Sequence, residues 1–68
     1  MTVISKVKQT LAGLQSAQAT LKLYEAQSQN EETIRVYQEM LDTTDGIVKD
    51  LENRIKALEY EEPQYKGL

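Results

Sequence analysis

The chain has 68 residues, a net charge of −3, and no Cys, His, Trp or Phe. That length gives one small domain, near the lower limit for a self-sufficient core. Without cysteine or histidine, a disulfide scaffold, a Cys/His zinc site and a thiol or imidazole catalyst are all excluded. The acidic balance argues against nucleic acid as the main partner.

Met1 to Lys6 shows no apolar run followed by small residues, so no signal peptide is expected. No stretch approaches the roughly 20 apolar residues a membrane span needs, and the expectation is a cytoplasmic protein with no transmembrane segment. Charge is unevenly spread. Residues 1–24 hold Lys6, Lys8 and Lys22 and no acid, whereas residues 25–68 hold eleven acids against five bases. Two halves of opposite sign suit two helices lying side by side.

The first helix is predicted from Thr2, a suitable N-cap, to about Gln27. Val7, Leu11, Leu14 and Leu21 form its apolar stripe, interrupted by Gln18; Val3, Ile4, Leu23 and Tyr24 are further apolar positions. Ala12, Gly13, Ser16, Ala17, Ala19 and Thr20 make a small-residue patch, expected where two helix axes approach closely. Ala26 to Asn30 ends the pattern. Ser28 or Asn30 can cap the next helix, and Ser28 with Glu31 matches a capping box. A loop of about three residues makes the helices antiparallel.

The second helix is predicted from Asn30 to Tyr60. Ile34, Tyr37, Leu41, Thr44, Val48, Leu51, Ile55 and Leu58 recur at alternating steps of three and four, the spacing of a helix with one apolar side. Turn-forming residues cluster at Asp42-Thr43-Thr44-Asp45-Gly46. The stripe nevertheless keeps its phase through them, which predicts an uninterrupted helix. Glu31–Arg35, Asp45–Lys49, Asp50–Arg54 and Glu52–Lys56 are acid-before-base pairs one turn apart. With the turn centred near Gln29 and Asn30, Gly13 should lie level with Gly46, Leu11 with Val48, and Ile4 with Ile55. Pro63 disfavours helical geometry at Glu62, leaving residues 61–68 as an extended tail, read either as a frayed terminus or, through Pro63, Tyr65 and Leu68, as a candidate partner-docking peptide.

Chemistry is hard to find along this chain. A carboxylate-bridged metal centre in a bundle needs Glu-x-x-His elements, and there is no histidine. Serine and threonine lack a base to activate them, and no strand precedes a phosphate loop. The expectation is no catalytic residue, no metal, no cofactor and no enzymatic activity. An alternative is a small-ligand or ion binder around Gln18, Tyr37 and Thr44.

Met1-Thr2-Val3, Val7-Lys8-Gln9-Thr10-Leu11-Ala12, Ser16-Ala17-Gln18-Ala19 and the ending Glu61-Glu62-Pro63-Gln64-Tyr65-Lys66 occur in an order that resembles a family of short, uncharacterised proteins from endospore-forming Firmicutes. The resemblance covers essentially the whole chain. It implies a sporulation or spore-germination setting, since genes of that family tend to sit beside stage V sporulation membrane-protein genes of the dipicolinate-channel type. It assigns no biochemical activity. Similar sequences often carry Pro where this chain has Asn53, so a helix kink at that point is not expected here.

The combined expectation is an all-α antiparallel two-helix hairpin that dimerises into a four-helix bundle. Val7, Leu11, Leu14, Leu21, Ile34, Tyr37, Leu41, Val48, Leu51, Ile55 and Leu58 would carry self-association. Val3, Leu23, Val36, Met40 and Ile47 widen the apolar stripes beyond one seam. The function expected is that of a non-enzymatic structural or adaptor protein of the forespore or spore. Its partners would be a second copy and a protein, which the gene neighbourhood suggests is a membrane protein.

Overall fold

A computed structural model describes residues 3–61 of the chain. The predicted N-cap Thr2 and the tail residues Pro63, Tyr65 and Leu68 lie outside the described residues. Two helices, α1 (Val3–Gln27) and α2 (Glu31–Glu61), pack against one another as a hairpin. Gln18 meets Thr44, Tyr24 meets Tyr37, and Lys8 meets Glu59. Position rises along one helix as it falls along the other, so the pair is antiparallel. No helix of the described residues is long and apolar enough to cross a membrane.

The connection is Ser28, Gln29 and Asn30. Asn30 caps α2. Its Oδ1 accepts a 3.0 Å bond from the Thr33 amide, and its carbonyl accepts the first helical bond, from the Ile34 amide, at 2.9 Å. Ser28 instead closes α1, its amide donating to the Glu25 carbonyl at 3.2 Å. Glu31 and Glu32 then place negative charge on the first turn of α2, where the helix dipole favours it.

α2 is unbroken through Gly46. Within the turn-forming cluster Thr44 donates its hydroxyl back to the Met40 and Leu41 carbonyls, at 2.8 and 3.1 Å, without interrupting the helix. The seam keeps its phase through that point, and packing outweighs a local preference of this size.

Two expectations about packing are corrected. Gln18 lies opposite Thr44, which shifts the register three residues from the one anticipated. Equal rise along both helices then sets Leu14 level with Val48, Leu21 with Leu41, Leu11 with Leu51, Val7 with Ile55, and Ile4 with Leu58. The loop bounds do not account for the shift: the connection is centred on Gln29, and the offset is read from the Gln18–Thr44 contact itself. The second correction concerns the glycines, which do not mark a close approach inside the hairpin. Gly13 and Gly46 are both exposed, and a Cβ built on either would meet nothing within 4 Å. Ala12, Ser16, Ala17, Ala19 and Thr20 are exposed as well. The small-residue patch faces away from α2.

The four one-turn ion pairs expected along α2 do not close among the described residues; Lys8 and Glu59 pair instead, across the hairpin at 3.6 Å. Exposed one-turn pairs are worth only a few tenths of a kcal/mol, too little to hold two long side chains in place.

Candidate interaction surface

The eleven residues anticipated as self-association positions all line the seam between α1 and α2 of one chain. Leu41 is buried and the other ten are half-buried. Ile4, which belongs to the same series one step before Val7, is fully buried at 0% exposure. The series in α1 is therefore Ile4, Val7, Leu11, Leu14, Gln18 and Leu21, continued by Glu25 and Ser28. Each of these is buried or half-buried.

Both seams follow one seven-residue pattern, so the positions beside them fall on two opposite sides of the hairpin. Lys8 with Glu59, and Gln18 with Asp45 at 2.8 Å, identify the first side. Lys8, Gln15 and Lys22 of α1 lie there, with Gln38, Asp45, Glu52 and Glu59 of α2. This side is polar and charged.

The ring contact between Tyr24 and Tyr37, with centroids 6.2 Å apart and planes tilted by 45°, identifies the other side. Val3, Thr10, Ala17 and Tyr24 of α1 lie there, with Met40 and Ile47 of α2 and Val36 and Thr43 just outside them. Val3, Tyr24, Val36, Met40 and Ile47 are all exposed, Met40 and Ile47 at 44% and 45%. The threonine hydroxyls do little to make this side polar. Thr10 donates to the Lys6 carbonyl at 3.0 Å, and Thr20 to the Ser16 carbonyl at 3.3 Å, turning their donors onto their own helix. An open groove of about 350 Å³ runs along α2 on this side, lined by Val36, Glu39, Met40, Thr43 and Thr44.

α1 is unusual in a second respect. From Gln9 to Leu21 it has no charged residue on any face. α2 by contrast is studded with charge away from its seam. A helix lacking a charged outer face is normally one that is covered on more than one side.

The anticipated polar cluster Gln18, Tyr37 and Thr44 is only partly assembled. Gln18 is 8% exposed, and its Nε2 donates to both Thr44 Oγ1 and Asp45 Oδ1, at 2.9 and 2.8 Å. Tyr37 instead stacks with Tyr24 toward the loop. Among the described residues no buried side-chain polar atom lacks a partner, and no three carboxylates are grouped as a metal would require. The Gln18 amide donates and Thr44 and Asp45 accept, which is how a polar layer holds a helical seam in register.

Sequence reasoning left Ile4 out of the self-association positions, although its three-residue offset from Val7 was the available signal. It named Val3, Leu23, Val36, Met40 and Ile47 as excess apolar surface without grouping them; Val3, Val36, Met40 and Ile47 share one side, and Leu23 lies on the far side of α1 from the seam.

No curated protein and no solved structure matches the chain. A family model described as a protein of unknown function, DUF1657, matches residues 7–55. The matched span begins and ends at one level of the hairpin, Val7 beside Ile55, and so takes in the polar layer, the loop and all of the seam but its Ile4–Leu58 layer. The two-helix hairpin with one apolar and one charged side is thus a member of the DUF1657 family of proteins of unknown function.

Proposed function

We propose that this hairpin is a non-enzymatic structural or adaptor protein that works by self-association and protein–protein contact. One observation carries the reading. The hairpin keeps an apolar side after its own two helices have paired, bearing Val3, Tyr24, Val36, Met40 and Ile47. A two-helix unit covers each seam from one direction only. Among the described residues Ile4, Gln18 and Leu41 are buried, and the rest of the seam stays half-covered. Exposed apolar surface gathered on one side of so small a body is the usual mark of an interface. A sporulation or spore-germination setting, with a membrane protein among its neighbours, is proposed on the sequence resemblance alone.

Gel filtration coupled to light scattering tests the self-association. The expected result is a species of at least twice the chain mass at micromolar concentration, and a stable monomer would overturn it. The adaptor role is tested by pull-down with the chain ended at Tyr60. Loss of partner recovery is expected, and undiminished recovery would remove the tail from the docking surface.

A further inference from the structure

We infer that the open end of the hairpin is a docking site for the chain's own C-terminal segment, Glu62 to Leu68, which folds back over the charged side as a strap. The inference goes beyond the self-association reading and does not rest on it, because it concerns the opposite side of the hairpin.

Burial along the two helices carries it. The end of a two-helix unit has fewer neighbours than its middle and should be the more exposed part. Here the open end is the less exposed. Ile4 keeps 0% exposure, while Gln18 and Leu41 in the middle keep 8% and 9% and the rest of the seam keeps more. Ser5 is half-buried, yet Ala12, Ala19 and Ala26, at the same place in the following heptads, are exposed. Lys8 and Glu59 are half-buried, yet Gln15, Lys22, Gln38, Asp45 and Glu52, in the same two rows, are exposed. The Lys8–Glu59 pair does not explain this, since Asp45 is bonded to Gln18 on the same side and stays exposed. The cover is one-sided as well: Val3, beside Ile4 on the apolar side, is 60% exposed. Two helices alone do not bury one side of one end, so a third stretch of chain lies against Ile4, Ser5, Lys8 and Glu59.

Length and chemistry select the stretch. Outside residues 3–61 the sequence offers Met1 and Thr2, or the seven residues after Glu61. Two residues span at most about 7 Å, too little to double back from Val3 and cover Lys8, five residues on. Seven residues span up to about 24 Å, and Lys8, level with Arg54, lies only about 10 Å along the axis from Glu61. Pro63 opposes a continued helix, so the chain can leave the axis of α2 there. Tyr65 and Leu68 supply apolar cover for Ile4, and the Tyr65 hydroxyl can stay at the polar rim. Glu62 and Lys66 carry the charges opposite to those of Lys8 and Glu59. The segment that could dock a partner thus already has a seat on its own hairpin, and a partner that takes it uncovers Ile4.

The chain has no cysteine, so introduced cysteines report the arrangement cleanly. In the full chain, Ser5→Cys paired with Gln64→Cys should close within one molecule under mild oxidation, with a yield that does not change on dilution. Val3→Cys paired with Gln64→Cys, at the same end but on the apolar side, should close several-fold less. A segment without a seat would reach the exposed Val3 position at least as readily, and that result would overturn the strap. Disulfides formed chiefly between chains would place the segment on a second copy and overturn it as well. A second measurement needs no engineered bond. The Ser5→Cys thiol should react with a maleimide several-fold faster once Tyr65→Ser and Leu68→Ser are added, with the rate at Ala12→Cys unchanged and helicity retained by circular dichroism. An unchanged rate at Ser5→Cys would overturn the strap. Self-association is read separately by light scattering, and a monomeric chain would leave these outcomes as they are.

Discussion

Gln18 donates to Thr44 across the middle of the seam, between apolar layers, with 2.9 Å between Nε2 and Oγ1. The layers on either side, Leu14 with Val48 and Leu21 with Leu41, are chemically alike, and a slip along the helix axis would exchange one leucine contact for another. The polar layer has no equivalent elsewhere in the seam. A slip would leave the Gln18 amide buried against apolar carbon, so the layer discriminates between registers more than it adds stability.

Replacing both partners, as Gln18→Leu with Thr44→Val, should therefore leave stability unchanged or raise it by about 1 kcal/mol. The same change should admit more than one assembly, seen as mixed species by light scattering. Gln18→Ala alone should lower stability by about 1–2 kcal/mol in urea unfolding. A double variant that unfolds more readily than the parent and remains a single species would argue against a register role.

Leu41 is the buried leucine of α2, while Leu23 of α1 is 54% exposed on the far side from the seam. Leu41→Ala should cost about 2–4 kcal/mol. That is a large part of the stability of so small a domain and should show as a sharply lower thermal midpoint. Leu23→Ala should stay within about 0.5 kcal/mol. Equal losses at the two positions would mean that the seam is not where the apolar free energy lies.

Asn30 Oδ1 accepts the Thr33 amide, whereas Ser28 belongs to the end of α1. Asn30→Ala should cost about 1 kcal/mol and Ser28→Ala much less, both read from chemical denaturation. A greater loss at Ser28 would restore the capping box as the start signal of α2.

Gly46 sits inside a continuous helix with open space where a Cβ would go. Gly46→Ala should stabilise the hairpin by about 0.5–1 kcal/mol. Destabilisation would show that the position is crowded by something the single chain does not supply. Since Gly46 lies outside the apolar side, the result also separates helix propensity from interface packing.

The face that α2 turns inward was fully legible in its sequence. All eight residues spaced at three and four, from Ile34 to Leu58, are buried or half-buried. Periodicity reports which face is apolar, and α2 has one face to choose. α1 was harder. Its outer surface is almost as uncharged as its seam, so Gly13, Ala17 and Thr20 looked like contact residues for α2 and instead lie outside. The axial offset was not legible, because apolar layers spaced alike fit several registers. The Gln18–Thr44 pair marks the one that is adopted. The one-sidedness of the remaining apolar surface does not depend on that offset; it follows once the two seams are set side by side.

The even, uncharged coat of α1 has a consequence during synthesis. α1 leaves the ribosome ahead of α2, which is made at roughly 5–20 residues per second and whose 31 residues still occupy the exit tunnel as α1 emerges. Through that interval a helix-forming segment with nothing ionic between Gln9 and Leu21 waits without its cover.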